Sequence, residues 1–241
     1  EGRADMRQAW PRDTPAFFYQ AKQQPVHVAA LRGHVAAIAA LLEHRAEVDA
    51  RDRRAQTPLI LSATSGSVAA ATLLLSQRAQ VDARMGIGSS ALDFAAIFGR
   101  AQIVDLLIAS GARCAPNADG INPLHNAVIF RCGAAVTRSL LQARAGLDDR
   151  TRPRRGGLIW SFLTTWDLAY RCGARSFLSL LGHHAWGATP LMNALMFDNC
   201  TEAMVLLEAG ASVSLRSDRG VDARRIAEIF RTTPVVRPWL E

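Results

Sequence analysis

The sequence predicts an all-α solenoid of stacked helical hairpins, and two observations carry this prediction. First, residues suited to begin a helix recur at Pro25, Pro58, Ala91 and Pro123, at spacings of 33, 33 and 32 residues. Second, each start precedes a short helical stretch, a turn, and a longer stretch with paired aliphatic residues such as Leu74–Leu75. A fixed period of this length is typical of stacked supersecondary units, each of which buries its apolar face against its neighbours.

The stretch Thr57–Gly66 shows the pattern in its most regular form. The Thr57 hydroxyl is suited to cap a helix, and Pro58 fits the first helical position, where an N–H is not needed. Gly66 can adopt the left-handed conformation that ends a helix. The spacing therefore predicts a helix over 58–65, and the paired leucines of the second helices are expected to form the spine of the core.

Seven units are predicted within an array over residues 24–230. They start near residues 24, 57, 90, 122, 164, 189 and 222. Residues 1–23 are expected to form an N-terminal capping segment. Residues 231–241 are expected to form a C-terminal cap in which Trp239 and Leu240 fold back on the last helices.

The spacing between helix starts is irregular between the fourth and sixth units. The start at Pro123 is followed by one at Thr165, 42 residues later, and then by one at Pro190, only 25 residues later. We interpret this as an insertion over 150–160 that enlarges one loop, followed by a loop that is nearly deleted. Because the two spacings together approach two periods, the units are expected to keep their stacking order.

These motifs resemble the ankyrin repeat. The resemblance rests on Thr57-Pro58-Leu59, on Asn122–Ala127 (NPLHNA), on Thr189-Pro190-Leu191 and on the loops Ala46–Ala50 and Ala79–Ala83. It implies an ankyrin-repeat solenoid of about six to seven units with short finger loops, of which one is enlarged and one nearly deleted. It also implies that fingers and first helices line a concave face that binds other proteins. The chain departs from the family at four positions where glycine is usual, namely Arg45, Arg78, Arg144 and His184.

The charge balance is strongly basic. The formal net charge is +7, and Lys22 is the only lysine among 28 basic residues. The arginine excess has two interpretations, a compositional bias or an anionic partner. Arginine favours bidentate recognition of carboxylate and phosphate. The partner-binding candidates are Arg51, Arg53, Arg54, Arg84, Arg150, Arg152, Arg154, Arg155, Trp160 and Trp186.

No catalytic, phosphate-binding or metalloprotease motif occurs in the sequence. The four cysteines lack zinc-ligand spacing and are expected to be free thiols of an intracellular protein, cytoplasmic or organellar. The pair His183–His184 could suggest a metal, but a helix end explains it equally well and no third ligand lies nearby in sequence. We therefore expect no enzyme activity, cofactor or metal.

Three functions remain open at this point. The leading prediction is a non-catalytic protein-interaction module that uses the concave finger and first-helix face, with the 150–160 insertion, against an acidic or anionic partner surface. The chain could instead be a structural subunit of a large multi-protein or ribonucleoprotein assembly, including an assembly in an organelle. Nucleic acid would then be a further partner. It could also be an ankyrin segment of a larger enzyme or regulatory protein.

Overall fold

The computed structural model describes residues 23–152, 158–174, 176–232 and 234–239. Residues 1–22 of the predicted N-terminal cap lie outside this description. The chain divides into two compact units, residues 1–113 and residues 114–241. In the described residues, helices alternate with turns and loops. One isolated antiparallel β-bridge pairs Arg84 with Ser90.

The first compact unit contains three helical hairpins. Its helices are α1 (Pro25–Arg32), α2 (Val35–Glu43), α3 (Pro58–Ser65), α4 (Val68–Ser76), α5 (Ala91–Ile97) and α6 (Ala101–Ala109). The first helices pack in one row, α1 on α3 and α3 on α5, and the second helices pack in another, α2 on α4 and α4 on α6. This two-row arrangement is the stacking that the repeat pattern predicts.

Helix α3 confirms the prediction made from its end residues. The backbone N–H of Ile60 donates to the Thr57 hydroxyl at 3.4 Å, and Pro58 occupies the first turn. Gly66 ends the helix at a φ of +86°. A Cβ at this glycine would lie 2.8 Å from Nε of Arg100, so Gly66 also allows the neighbouring hairpin to approach closely.

The second compact unit has a more complex order of elements. Its helices are α7 (Pro123–Ile129), α8 (Ala134–Gln142), α9 (Leu158–Arg171), α10 (Phe177–His184), α11 (Pro190–Met196), α12 (Cys200–Glu208) and α13 (Ala223–Ile229). A short 3-10 helix, Pro234–Trp239, follows and packs against α12. Within it Val236 is fully buried and Trp239 is 48% exposed, and Leu240 of the predicted cap lies outside the described residues.

The stacking order of this unit corrects one part of the sequence-based prediction. Helix α7 packs directly against α11, and α8 packs directly against α12. The hairpin that begins near residue 164 was expected to lie between these pairs. Instead, α9 and α10 pack mainly against each other.

The finger loops show where this hairpin enters the stack. Four finger tips are closed by a backbone hydrogen bond between residues four positions apart: Asp52 N to Gln56 O, Met85 N to Ser89 O, Asn117 N to Ile121 O, and Ser217 N to Val221 O. The equivalent bond after α8 joins Thr151 N to Ala188 O at 3.0 Å. The α9–α10 hairpin is therefore inserted at the tip of a finger, and we call residues 153–185 the arm.

Two further sets of hydrogen bonds confirm this register. Asp49 accepts from the backbone of Gln80, 31 residues later, whereas Asp148 accepts from the backbone of Ser212, 64 residues later. His27 Nε2 lies 3.2 Å from Gln56 O, 29 residues later, and the matching bond joins His125 to Ala188 O, 63 residues later. The arm thus adds about one repeat period, which is why the irregular spacings nearly equal two periods although one hairpin lies outside the stack.

In the aliphatic pairs of the second helices, one residue lies in the core and the other at its edge. Their first members are fully buried, with no exposed area, at Leu74, Leu107, Leu140 and Leu206. The second members are half-buried. These leucines belong to the buried stripe of their helices, which in α6 also includes the fully buried Ile103 and Val104.

Three of the four departures from the family consensus adopt the expected strained backbone. Arg45, Arg78 and Arg144 have φ values of +65°, +63° and +58°, in the left-handed region. Their counterparts Gly111 and Gly210 have the same handedness. The expectation for His184 is wrong, because this residue is the last of α10 and continues the helix.

Replacing Arg78 by glycine is expected to stabilise the fold. A side chain in the left-handed conformation costs about 1–2 kcal/mol, part of which is offset because glycine is more flexible in the unfolded chain. The net gain in the free energy of unfolding should be about 1 kcal/mol, measurable by urea denaturation. Arg78→Ala is the control, since it removes the guanidinium and keeps the Cβ. Equal effects of the two substitutions would contradict the backbone explanation.

Candidate functional site

The first compact unit carries a group of arginines that we call the basic finger cluster, defined as Arg51, Arg53, Arg54 and Arg84. Arg51, Arg53 and Arg54 are exposed, and Arg84 is half-buried. Arg51 Nη1 donates to the Arg84 carbonyl at 3.1 Å, and Arg84 Nη1 donates to the Gly88 carbonyl at 2.5 Å. The structure therefore brings these four sequence-predicted residues together on two successive fingers.

The acidic residues of the same fingers bind the finger backbone. Asp52 Oδ1 accepts from the N–H groups of Arg54 and Gln56, both at 2.8 Å. Asp49 accepts from the N–H of Gln80, and Asp82 pairs with Arg113 at 2.6 Å. These carboxylates are thus bonded to finger N–H groups or to Arg113, and none of the three bonds to the guanidinium of Arg53 or Arg54.

The guanidinium groups of Arg53 and Arg54 extend from this framework towards solvent. Neither group makes a side-chain hydrogen bond or ion pair with the part of the chain that the structure describes. Their backbones are nonetheless fixed, since the Arg54 carbonyl accepts from the N–H of Gly86 at 3.0 Å. The tip thus presents positive charge on an ordered backbone.

In the second compact unit, Arg150 and Arg152 lie on the first limb of the finger that carries the arm. Arg150 is half-buried, and Arg152 is exposed. The N–H of Arg152 donates to the Asp119 carbonyl at 2.8 Å, which repeats the tip-to-tip contact of Gly86 with Arg54. Gly120 permits this approach, because a Cβ there would lie 2.6 Å from the Arg152 nitrogen.

The remaining predicted residues belong to the arm and to its returning limb. Arg154 and Arg155 lie outside the described residues, as does the side chain of Trp160 in α9. Trp186 follows the arm, and its carbonyl accepts from the N–H of Asp218 at 2.9 Å. Its indole Nε1 is buried without a hydrogen-bond partner among the described residues.

An ion-pair group that we call the clasp, formed by Asp167, His183 and Arg219, joins the arm to the last finger. Asp167 Oδ1 lies 2.6 Å from His183 Nδ1, and Asp167 Oδ2 accepts from Arg219 Nη2 at 2.7 Å. Arg219 Nε also donates to the His183 carbonyl at 3.3 Å. One arginine therefore holds both helices of the arm.

His184 completes the contact between the arm and the end of the stack. Its ring is buried and lies edge-on to Phe230, with centroids 6.2 Å apart. Burial is the main cause that lowers the pKa of His184 to about 4, and the positive groups His183, Arg219 and Arg225 lower it further. The described residues contain no group of three or more side chains that could hold a metal ion. The ring of His183 bonds to Asp167, and the ring of His184 packs against Phe230.

The family assignment rests on a comparison of the chain with known proteins. A family model for ankyrin repeats, in three copies, matches residues 12–85. Residues 12–85 of the chain are therefore similar to ankyrin repeats. No curated protein matches the chain.

Ankyrin repeats are generally protein–protein interaction modules, and the family is typically non-catalytic. None of the helices that the structure describes is long and apolar enough to cross a membrane.

The clasp is the part of the site that sequence reasoning missed. Asp167 and Arg219 are 52 residues apart, and neither belongs to a motif. Arg219 is recognisable from the sequence only as one more finger arginine, and Asp167 only as a polar residue in the first turn of an apparent repeat. No sequence signal links them, because their contact depends on where the arm leaves the stack.

Proposed function

We propose that this protein, which is similar to ankyrin repeats over residues 12–85, is a non-catalytic protein-binding module whose basic finger cluster receives an acidic surface of a partner protein. The observation that carries the proposal is the arrangement of charge on the fingers. The carboxylates of Asp49, Asp52 and Asp82 bind finger groups, whereas the guanidinium groups of Arg53 and Arg54 face solvent.

The chemistry of the cluster favours a carboxylate-bearing partner. A guanidinium presents its donors in a planar fork that matches a carboxylate in two parallel hydrogen bonds. The tip backbone is already ordered by bonds such as Asp52 N to Gln56 O, so binding would order only the side chains. Such pre-organisation reduces the entropy lost on association.

The arm, in the second compact unit, supplies a further surface for recognition. Its turn residues Arg171–Ala174 are exposed, and Leu168 beside them is 61% exposed. Arginine is enriched among the residues that dominate interface energies. We assign partner specificity to this arm and to the adjoining Arg152, and the arm overlaps the predicted 150–160 insertion.

A charge-reversal experiment tests the finger proposal. A partner is first identified by co-purification and mass spectrometry, and its affinity is then measured for Arg53→Glu/Arg54→Glu. Losing two charge-assisted contacts and adding two repulsive charges is expected to weaken binding by at least about tenfold, with a steep dependence on salt. The matched control is Arg45→Glu/Arg78→Glu, which makes the same change in net charge at the ends of the second helices.

The control is expected to bind within about twofold of the unchanged protein, since long-range charge effects are screened in physiological salt. If both variants weaken binding equally, the effect comes from the change in net charge and not from the finger position. That result would contradict the proposal. If unrelated nucleic acids bind tightly with a steep salt dependence while no protein partner is recovered, the ribonucleoprotein alternative replaces it.

A further inference from the structure

We propose that the tips of the first two fingers form one composite site, which binds an extended acidic segment of a partner protein that carries an apolar residue beside its acidic pair. The site consists of Arg53 and Arg54 on the finger after α2 and of Gly86 and Ile87 on the finger after α4, and we call it the tip site. This inference rests on the proposed function, since it takes the two arginines as the contacts to the acidic partner and adds an apolar contact.

A backbone hydrogen bond joins the two tips. The N–H of Gly86 donates to the Arg54 carbonyl at 3.0 Å. Ile87 follows Gly86 directly, so its backbone lies within about two residue spacings of Arg54, at about 3.3 Å for each residue of extended chain. The side chains of Arg54 and Ile87 are both exposed. One partner segment can therefore contact both of them.

Ile87 occupies a tip position that is charged in the other fingers closed in the same way. It is the middle residue of the tip 85–89 and is 52% exposed. The middle residues of the three other tips are Arg54, Asp119 and Arg219. Turn tips favour polar residues because they lie in water, so an isoleucine there leaves apolar surface exposed. Contact with an apolar side chain of the partner would remove this surface from water.

The backbone that carries Ile87 is fixed within the free protein. The N–H of Gly88 donates to the Met85 carbonyl at 2.8 Å. Gly86 places no side chain between the tips, and the only described atom within 4 Å of a Cβ built there is the Arg54 carbonyl oxygen, at 3.6 Å. The backbone of a partner segment can therefore approach this glycine closely, which is a common use of glycine at binding surfaces.

The charges around the tip site favour an acidic occupant. The guanidinium groups of Arg53 and Arg54 make no hydrogen bond or ion pair with the described residues, and Asp52 Oδ1 accepts from backbone N–H groups. A partner carboxylate can pair with either guanidinium through two parallel hydrogen bonds. Because extended chain advances about 3.3 Å per residue, an apolar residue within about three positions of the acidic pair would reach Ile87.

Selection from a phage-displayed library of random dodecapeptides on the immobilised full chain tests this motif. The unchanged protein is expected to enrich peptides in which an apolar residue lies within about three positions of two adjacent acidic residues. Ile87→Ser is expected to enrich acidic pairs without the apolar preference, and Arg53→Glu/Arg54→Glu is expected to lose the acidic pairs. The matched control is Val235→Ser, which changes an aliphatic residue that is 61% exposed in the second compact unit and should leave the selection unchanged.

A double-mutant cycle with one enriched peptide measures the apolar contact by fluorescence anisotropy. Ile87→Ser should weaken binding about fivefold and leave its salt dependence unchanged, since an apolar contact is not screened by salt. Serine in place of the peptide's apolar residue should weaken binding by a similar factor, and the two changes together should cost little more than either alone. Val235→Ser should bind like the unchanged protein. Both substituted residues are exposed, so thermal unfolding of the two variants should also be unchanged.

The outcomes separate the tip site from the proposed function. Acidic peptides without an apolar preference, or additive effects in the cycle, overturn the tip site and leave the acidic partner standing. Acidic enrichment that persists in Arg53→Glu/Arg54→Glu, or no enrichment of acidic peptides on the unchanged protein, overturns both.

Discussion

Replacing residues 152–187 with the tripeptide Ala-Asp-Gly is expected to leave a folded, cooperative solenoid. This tripeptide is the tip 118–120 of the preceding finger, which is closed by the bond from Asn117 N to Ile121 O. The shortened finger would retain Thr151 and Ala188 as its closing pair. The aspartate of the tripeptide would take the position of Trp186, whose carbonyl accepts a hydrogen bond from the N–H of Asp218.

The expected readout is loss of helix without loss of cooperativity. The far-ultraviolet circular dichroism should fall by the contribution of the 14 residues of α9 and the 8 residues of α10. The thermal midpoint should move by only a few degrees, about the effect of 1 kcal/mol in a protein of this size. In contrast, deleting α12, which packs on α8 and on the 3-10 helix, should abolish cooperative unfolding. A shortened chain that aggregates or unfolds non-cooperatively would show that the stack needs the arm.

The second large effect concerns the acid sensitivity of His125. Its side chain is fully buried, with Nε2 3.4 Å from the Ala188 carbonyl and Nδ1 3.4 Å from the Asn122 nitrogen. Burial lowers the pKa of His125 from 6.5 to about 4, against the smaller opposing effects of the Ala188 carbonyl and Asp149. The folded protein therefore keeps this imidazole neutral under conditions where the unfolded chain binds a proton.

The sign of the resulting pH dependence follows from proton linkage. Above pH 6.5 neither state protonates this histidine, and its contribution to the free energy of unfolding is fully present. As the pH falls from 6.5 to about 4, the unfolded state gains a proton that the folded state excludes, so stability is lost across that window. The loss should amount to about 3 kcal/mol, with most of it complete near the lower limit.

Urea denaturation across this window provides the measurement. His125→Gln removes the titrating group and should reduce the slope of unfolding free energy against pH by about one proton. The residual slope should carry the contribution of His184, whose lowered pKa acts in the same direction. His34→Gln serves as the control, because His34 is exposed. An unchanged slope in His125→Gln would show that this histidine is protonated before the protein unfolds.

Local features of the repeats follow from the sequence because their causes are local. Thr57, Pro58 and Gly66 cap, start and end α3 through contacts within a few residues. The left-handed arginines at 45, 78 and 144 were likewise expected from their place after the second helices. Arg53 and Arg54 could be named as exposed finger residues, since a polar turn must lie at the surface.

The arm could not be located in this way, because its own sequence imitates a repeat. Arg171-Cys172-Gly173-Ala174 repeats the turn Arg131-Cys132-Gly133-Ala134 of the preceding hairpin, and the arm has the length of one period. Both signals describe a helical hairpin and say nothing about what it packs on.

The sequence by itself determined that this protein is built from helical hairpins with a repeating period and basic fingers. Only the tertiary structure decided that one hairpin leaves the stack. That decision rests on the bond between Thr151 and Ala188 and on the clasp between Asp167 and Arg219, which join residues 37 and 52 positions apart. Contacts of that separation depend on which faces meet after the helices form, and helix caps and periodicity carry no information about them.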